Sequence, residues 1–171
     1  IYNSTATGAA TSVFSGLTNS KFQHVNVSTT GGNFLVACNG ADPTMIYDGT
    51  HWFKVATTST AQTISTITRG GTGNLTATLT TASAHGLITG NRVTISGATP
   101  SGFNGTYVIT VTGSTTFTYT MAADPGGDAS VMGSYTVLGI KGATVGGTTY
   151  TINSNTFINV NVFKNRLWFT E

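Results

Sequence analysis

Short runs of β-branched and aromatic residues, bounded by Gly, Asn or Asp, recur about every 8 to 12 residues along this chain. No segment sustains the three-and-four apolar spacing of an amphipathic helix. This punctuation restricts the chain to strands joined by tight turns, and the expected fold class is all-β. Apolar residues make up 39% and aromatics 10%, with only three prolines, so a packed core is affordable and disorder is the poorer reading. Charged residues are only 7%, against roughly 25% in an average soluble domain, while Thr is abundant. Thr is stiff at χ1 and suits the exposed face of a pleated sheet.

Two parts of the sequence share one frame. Near the start, Phe22-Gln23-His24-Val25-Asn26-Val27 is followed by a Thr30-Gly31-Gly32 turn and an apolar strand from Phe34 to Cys38. Near the end, Phe157-Ile158-Asn159-Val160-Asn161-Val162 repeats Phe, Val, Asn and Val at matching positions, and Leu167-Trp168-Phe169 follows. Between Cys38 and this second copy, Met45-Ile46-Tyr47, an Asp48-Gly49 turn and His51-Trp52-Phe53-Lys54-Val55 complete a four-stranded meander. A recurring sheet of this kind is how propeller blades are built. The expected blade core is Val25, Val27, Phe34, Val36, Tyr47, Leu167 and Trp168, with Trp52 also placed among the blade contacts and Cys38 a core filler.

The stretch 71–137 differs in character. Leu75-Thr76-Ala77-Thr78-Leu79-Thr80 and later alternating runs predict a small β-barrel or sandwich inserted into the blade-like body, which is assigned 1–70 and 138–171. Asn104-Gly105 and Asp124-Pro125-Gly126-Gly127 mark turns, and Arg69-Gly70-Gly71-Thr72-Gly73-Asn74 reads as a flexible junction. An insertion is cheap because loop-closure entropy grows only logarithmically with length.

Chemistry is sparse. Five carboxylates, three separated histidines and no Gly-x-Ser-x-Gly elbow leave little to assemble a catalytic site, so the chain is expected not to be an enzyme. Asp124 and Asp128 could offer oxygens to calcium, but their loop lacks the further ligands such a site needs. No zinc spacing and no phosphate cradle are present, so no metal or cofactor is implied. The seven cations are scattered, which argues against a nucleic-acid site, and no apolar run is long enough to span a membrane. For a partner or a glycan, the candidate residues are Trp52, Phe103, Asn104, Asp124 and Asp128. Along a strand Trp52 and Phe53 face opposite ways, so at least one is expected in the core. A start without Met and an end inside an apparent strand suggest a piece of a longer chain.

Two resemblances add to this. His85-Gly86-Leu87, Thr89-Gly90, Arg92-Val93-Thr94-Ile95-Ser96-Gly97, Phe103-Asn104-Gly105-Thr106-Tyr107 and Thr115-Thr116-Phe117-Thr118-Tyr119 resemble the FCCH-type β module named from ubiquitin-activating enzymes. Similar modules occur as insertions in phage structural proteins, where they imply no ubiquitin chemistry. The flanks, with Asn39-Gly40-Ala41-Asp42-Pro43, Tyr47-Asp48-Gly49, Trp52 and Asn161-Val162-Phe163-Lys164-Asn165-Arg166-Leu167-Trp168-Phe169, resemble propeller-type proteins of the tail of tailed bacteriophages. That resemblance implies a virion structural role in the tail hub or nozzle, acting by assembly. The implied partners are copies of the chain in a symmetric ring and other tail proteins. A host-surface, glycan-binding adhesin is the alternative.

Overall fold

The computed structural model describes residues 1–3, 11–56, 61–139, 144–145, 148–149, 153–164 and 166–171. The fold is all-β, with several antiparallel sheets and short 3-10 turns. In chain order the first strands are β1 (Tyr2–Asn3), β2 (Thr11–Ser12), β3 (Gln23–Thr29), β4 (Gly32–Cys38), β5 (Met45–Tyr47) and β6 (Trp52–Lys54). Then follow β7 (Gln62–Thr63), β8 (Thr66–Gly70), β9 (Thr76–Thr80), β10 (Arg92–Ser96), β11 (Gly105–Val108) and β12 (Thr110–Val111). The last are β13 (Thr116–Thr120), β14 (Ser134–Val137), β15 (Thr144–Val145), β16 (Thr148–Thr149), β17 (Asn159–Phe163) and β18 (Arg166–Thr170).

The chain divides into two compact units: Ile1–Val55 with Asn153–Glu171, and Ala56–Ile152. Both junctions lie outside the expected limits of 71 and 137. The glycine-rich 69–74 segment is no interdomain hinge: it joins β8 to β9 as a hairpin within the second unit.

In the first unit, β3-β4-β5-β6 form the meander that the alternation predicts. Val25 pairs with Val36, Val36 with Ile46, and Ile46 with Phe53, so one face carries a continuous apolar row. Val36, Met45 and Phe53 are each 1% exposed. The β5–β6 loop is held by Asp48, whose Oδ1 accepts from the backbone N–H of Thr50 (3.0 Å) and His51 (2.7 Å). Gly49 supplies the positive φ.

Hairpin β17–β18 repeats the pairing of β3–β4. Val160 faces Phe169 as Val25 faces Val36, and Val162 faces Leu167 as Val27 faces Phe34. β17 runs against β3 and β4 without a ladder between them. The joint is made at Gly40, whose N–H donates to the Phe157 carbonyl (2.9 Å). Gly40 has φ of +72°, and a Cβ there would stand 2.7 Å from Ile158 Cγ2, so glycine is required twice over. Thr44 and Ser154 add two buried hydrogen bonds to the same joint.

Beneath it, the Asp42 carboxylate is buried and accepts from Thr18 N–H (2.9 Å), Asn19 N–H (3.4 Å) and Asn39 Nδ2 (2.6 Å). Burial, the largest single influence, would raise its pKa, but the hydrogen bonds from Asn39, Thr18 and Asn19 outweigh it and hold the carboxyl below its ordinary value.

The second unit is a sandwich of two four-stranded sheets, β11-β10-β14-β7 and β12-β13-β9-β8, and neither closes into a barrel. Its core takes every second residue of the strands: Ala77 and Leu79, Val93 and Ile95, Phe117 and Tyr119, Tyr135 and Val137. Ile109, 1% exposed, sits where the chain leaves β11 in one sheet and enters β12 in the other. The outward residues of the second sheet are mostly Thr. Register aligns Thr68, Thr78, Thr118 and Thr110 in one row across four strands, the arrangement that cross-strand Thr pairing favours.

Candidate assembly surface

Among the described residues, large exposed apolar side chains occur in both units: Ile88, Val131 and Leu138 in the second, and three at or beside the last hairpin in the first. Among the described residues, the exposed large hydrophobics of the first unit are Ile158, Phe163 and Trp168, at 55%, 61% and 57% exposure. Register explains two of them. Trp168 pairs with Asn161 and Phe163 with Arg166, so both rings share the outward face with polar residues, while Val160 and Phe169 point inward. On the inner side, Phe169 stacks on Phe157 with centroids 4.4 Å apart. Outside, Trp168 Nε1–H donates to the Phe163 carbonyl (3.4 Å), and Lys164 Nζ lies 5.4 Å from the Phe163 ring.

The expected core position of Trp168 is therefore corrected. An apolar residue was taken as inward, but the strand's alternation gives the inward places to Leu167 and Phe169, both half-buried. Of the other expected blade-core residues, Val36 is fully buried and Val27 8% exposed, while Val25, Phe34 and Tyr47 are half-buried.

A second aromatic group lies on the meander. Tyr47 and Trp52 are cross-strand partners with ring centroids 5.3 Å apart and tilted by 30°. Phe14 meets Trp52 edge-on at 6.5 Å, and Lys54 Nζ sits 5.1 Å from the Phe14 ring. Trp52 is half-buried while its neighbour Phe53 is 1% exposed.

The remaining candidates are internally engaged. Phe103 is fully buried, which corrects its place among the candidate residues for a partner or glycan: Ser101–Phe103 form a 3-10 turn that drives the ring into the sandwich. Asn104 closes that turn on Ala98, accepting from its N–H and donating to its carbonyl, both at 2.9 Å. Asn104-Gly105 thus leads from this turn into β11.

Asp124 accepts from Arg69 Nη1 (2.5 Å), Asn74 Nδ2 (3.1 Å) and Gly126 N–H (2.9 Å), and Asp128 from Arg69 N–H (2.8 Å). The Gly126 hydrogen bond first, then Arg69 and Asn74, bring the Asp124 pKa down to about 2. These carboxylates fasten their loop to the β8–β9 hairpin. Among the described residues no three His, Cys, Asp or Glu side chains converge as a metal set. Among the described residues no helix is long and apolar enough to cross a membrane.

One cleft of about 210 Å³ in the second unit is lined by Gln62, Thr63, Thr81, Ser83, His85 and Tyr135 among others. Its groups are turned to structure: Thr81 Oγ1 donates to the Ser83 carbonyl (2.7 Å), and His85 Nδ1 accepts from Leu87 N–H (2.9 Å) with its ring against Phe117.

The sequence reading did not single out Ile158 or Phe163 as surface residues. The Phe163-Lys164 turn and the alternation of Asn159 and Asn161 were the signals available for the hairpin's outer face. Compared with protein-family models, with curated proteins and with solved structures, the chain gives no match.

Proposed function

We propose that this chain is a structural subunit of a tailed-bacteriophage particle, a component of a tail hub or nozzle, which acts by assembly without turnover. The observation that carries the reading is the hairpin repeat. Two hairpins of equal register lie against each other, and the later one turns Trp168 and Phe163 outward, where a further sheet would cover them. Copies of the chain in a ring and other tail proteins would supply that cover. Cryo-electron microscopy of the native particle tests this. Density for the chain in a symmetric tail ring is expected, and recovery of the chain only as a free, particle-independent monomer overturns it.

A glycan-binding role is the second reading, favoured by the half-buried Trp52 ring beside Tyr47 and Phe14. It rests on that group alone, because Phe103 is inaccessible and Asn104, Asp124 and Asp128 have their polar atoms engaged. Reproducible glycan-array binding that Trp52→Ala abolishes would favour it over assembly.

A further inference from the structure

Thr81 and His85 are the two groups of the second-unit cleft turned to structure; its other polar side chains are not. One wall comes from β7 and β14, where Gln62 stands opposite Tyr135, so the Gln62 carboxamide and the Tyr135 phenol share a face. That face is the inner one: Tyr135 and Val137 belong to the sandwich core, and the Tyr135 ring meets Phe117 edge-on with centroids 5.6 Å apart. The other wall is the segment 81–85 that leaves β9. Thr81 N–H and His85 N–H latch it to the start of β13 by donating to the carbonyls of Thr115 (2.9 Å) and Ser114 (3.0 Å). Between these latches Ala82, Ser83 and Ala84 have side chains too short to fill the space, and a cleft of about 210 Å³ is left.

Tyr135 is 2% exposed, and its hydroxyl makes no hydrogen bond to another described residue. Among the described residues no buried side-chain oxygen or nitrogen lacks a partner, so this hydroxyl is not sealed in the core: it opens on the cleft that Tyr135 lines. Burial pushes its pKa above the ordinary value, which keeps it a neutral group able to donate and to accept. The side chains of Gln62 and Ser83 are likewise without a described partner, and each also donates and accepts. No Lys, Arg, Asp or Glu lines the cleft, so nothing there favours a charged ligand. From this set we infer that the cleft binds one neutral sugar ring, with Tyr135 as the buried anchor and the exposed Gln62 and Ser83 at the mouth. Neighbouring hydroxyls of a sugar donate and accept as these three groups do, and the C–H face of the ring suits Val137 and the two alanines. The site lies in the second unit and depends on neither the assembly reading nor Trp52.

The test uses the whole chain and, as probes, glucose, galactose, mannose and N-acetylglucosamine, with glycerol and inorganic phosphate beside them. Backbone and side-chain resonances of Gln62, Ser83 and Tyr135 are followed by NMR as each probe is added to the chain and to Tyr135→Phe. With at least one sugar, saturable shifts confined to the cleft are expected at a millimolar dissociation constant, weakened about tenfold in Tyr135→Phe. Because the hydroxyl takes no part in the fold's own hydrogen bonds, Tyr135→Phe is expected to keep the unfolding temperature of the free chain. Absence of a saturable shift with every sugar overturns the proposal, as does equal affinity in Tyr135→Phe. Glycerol or phosphate binding as tightly as the sugars also defeats it, and a lowered unfolding temperature in Tyr135→Phe does so by showing the hydroxyl engaged in the fold. None of these outcomes bears on the assembly reading.

Discussion

Thr44 and Ser154, 110 positions apart, exchange two buried hydrogen bonds: Thr44 N–H donates to Ser154 Oγ at 3.2 Å, and Thr44 Oγ1 donates to the Ser154 carbonyl at 3.3 Å. Both residues are almost fully buried, so a donor left without its acceptor has no water to turn to. Ser154→Ala is expected to destabilise the first unit by roughly 1–3 kcal/mol, read as a lower denaturant midpoint with unchanged slope. The melting of the second unit should not move.

Asp42 makes the first unit sensitive to acid. Its carboxyl is held below its ordinary value in the folded state, so its contribution is full above about pH 5 and is lost as pH falls through about 4 and lower. Asp42→Asn replaces one acceptor with an amide and should cost roughly 1–3 kcal/mol at pH 7. Stability curves of the two proteins, measured from pH 7 to pH 3, are expected to converge at the acid end.

Trp168 and Phe53 are both large aromatics on strands, yet truncation should separate them sharply. Phe53 is 1% exposed and its removal leaves a cavity, so Phe53→Ala is expected to cost about 3–5 kcal/mol. Trp168 is 57% exposed, and Trp168→Ala should cost under about 1 kcal/mol in the isolated chain. Equal losses in chemical denaturation would contradict the outward placement of the indole.

In the second unit, Phe103 is fully buried and its carbonyl accepts from the Tyr119 hydroxyl at 3.1 Å. Phe103→Ala should cost about 3–5 kcal/mol. Tyr119→Phe removes only the hydrogen bond and should cost about 1 kcal/mol. Thermal unfolding of the two variants gives the comparison.

What could be read in the sequence was local. Alternation in Arg92-Val93-Thr94-Ile95-Ser96 and in Thr116-Phe117-Thr118-Tyr119-Thr120 marks the strands and their inward faces without any knowledge of partners. Asp48-Gly49 marks its turn for the same reason, since φ preference is a property of the residue. Phe103 was misplaced because Asn-Gly is a strong hairpin signal, whereas the bonds that set this turn run from Asn104 back to Ala98. The 69–74 segment looked flexible because its anchors, Asp124 and Asp128, lie 50 to 59 residues from the groups they hold. Trp168 required the register with Asn161, which no single strand can reveal.

The first unit is assembled from segments on either side of the second, so on the ribosome it must wait for residues 153–171 to emerge. The sandwich, contiguous in the chain, can fold while its host is still incomplete. During that interval β3 and β4 lack the β17 segment that runs against them. Translation therefore imposes an order of maturation, guest before host, in which the newborn meander passes through a stage before its last hairpin exists.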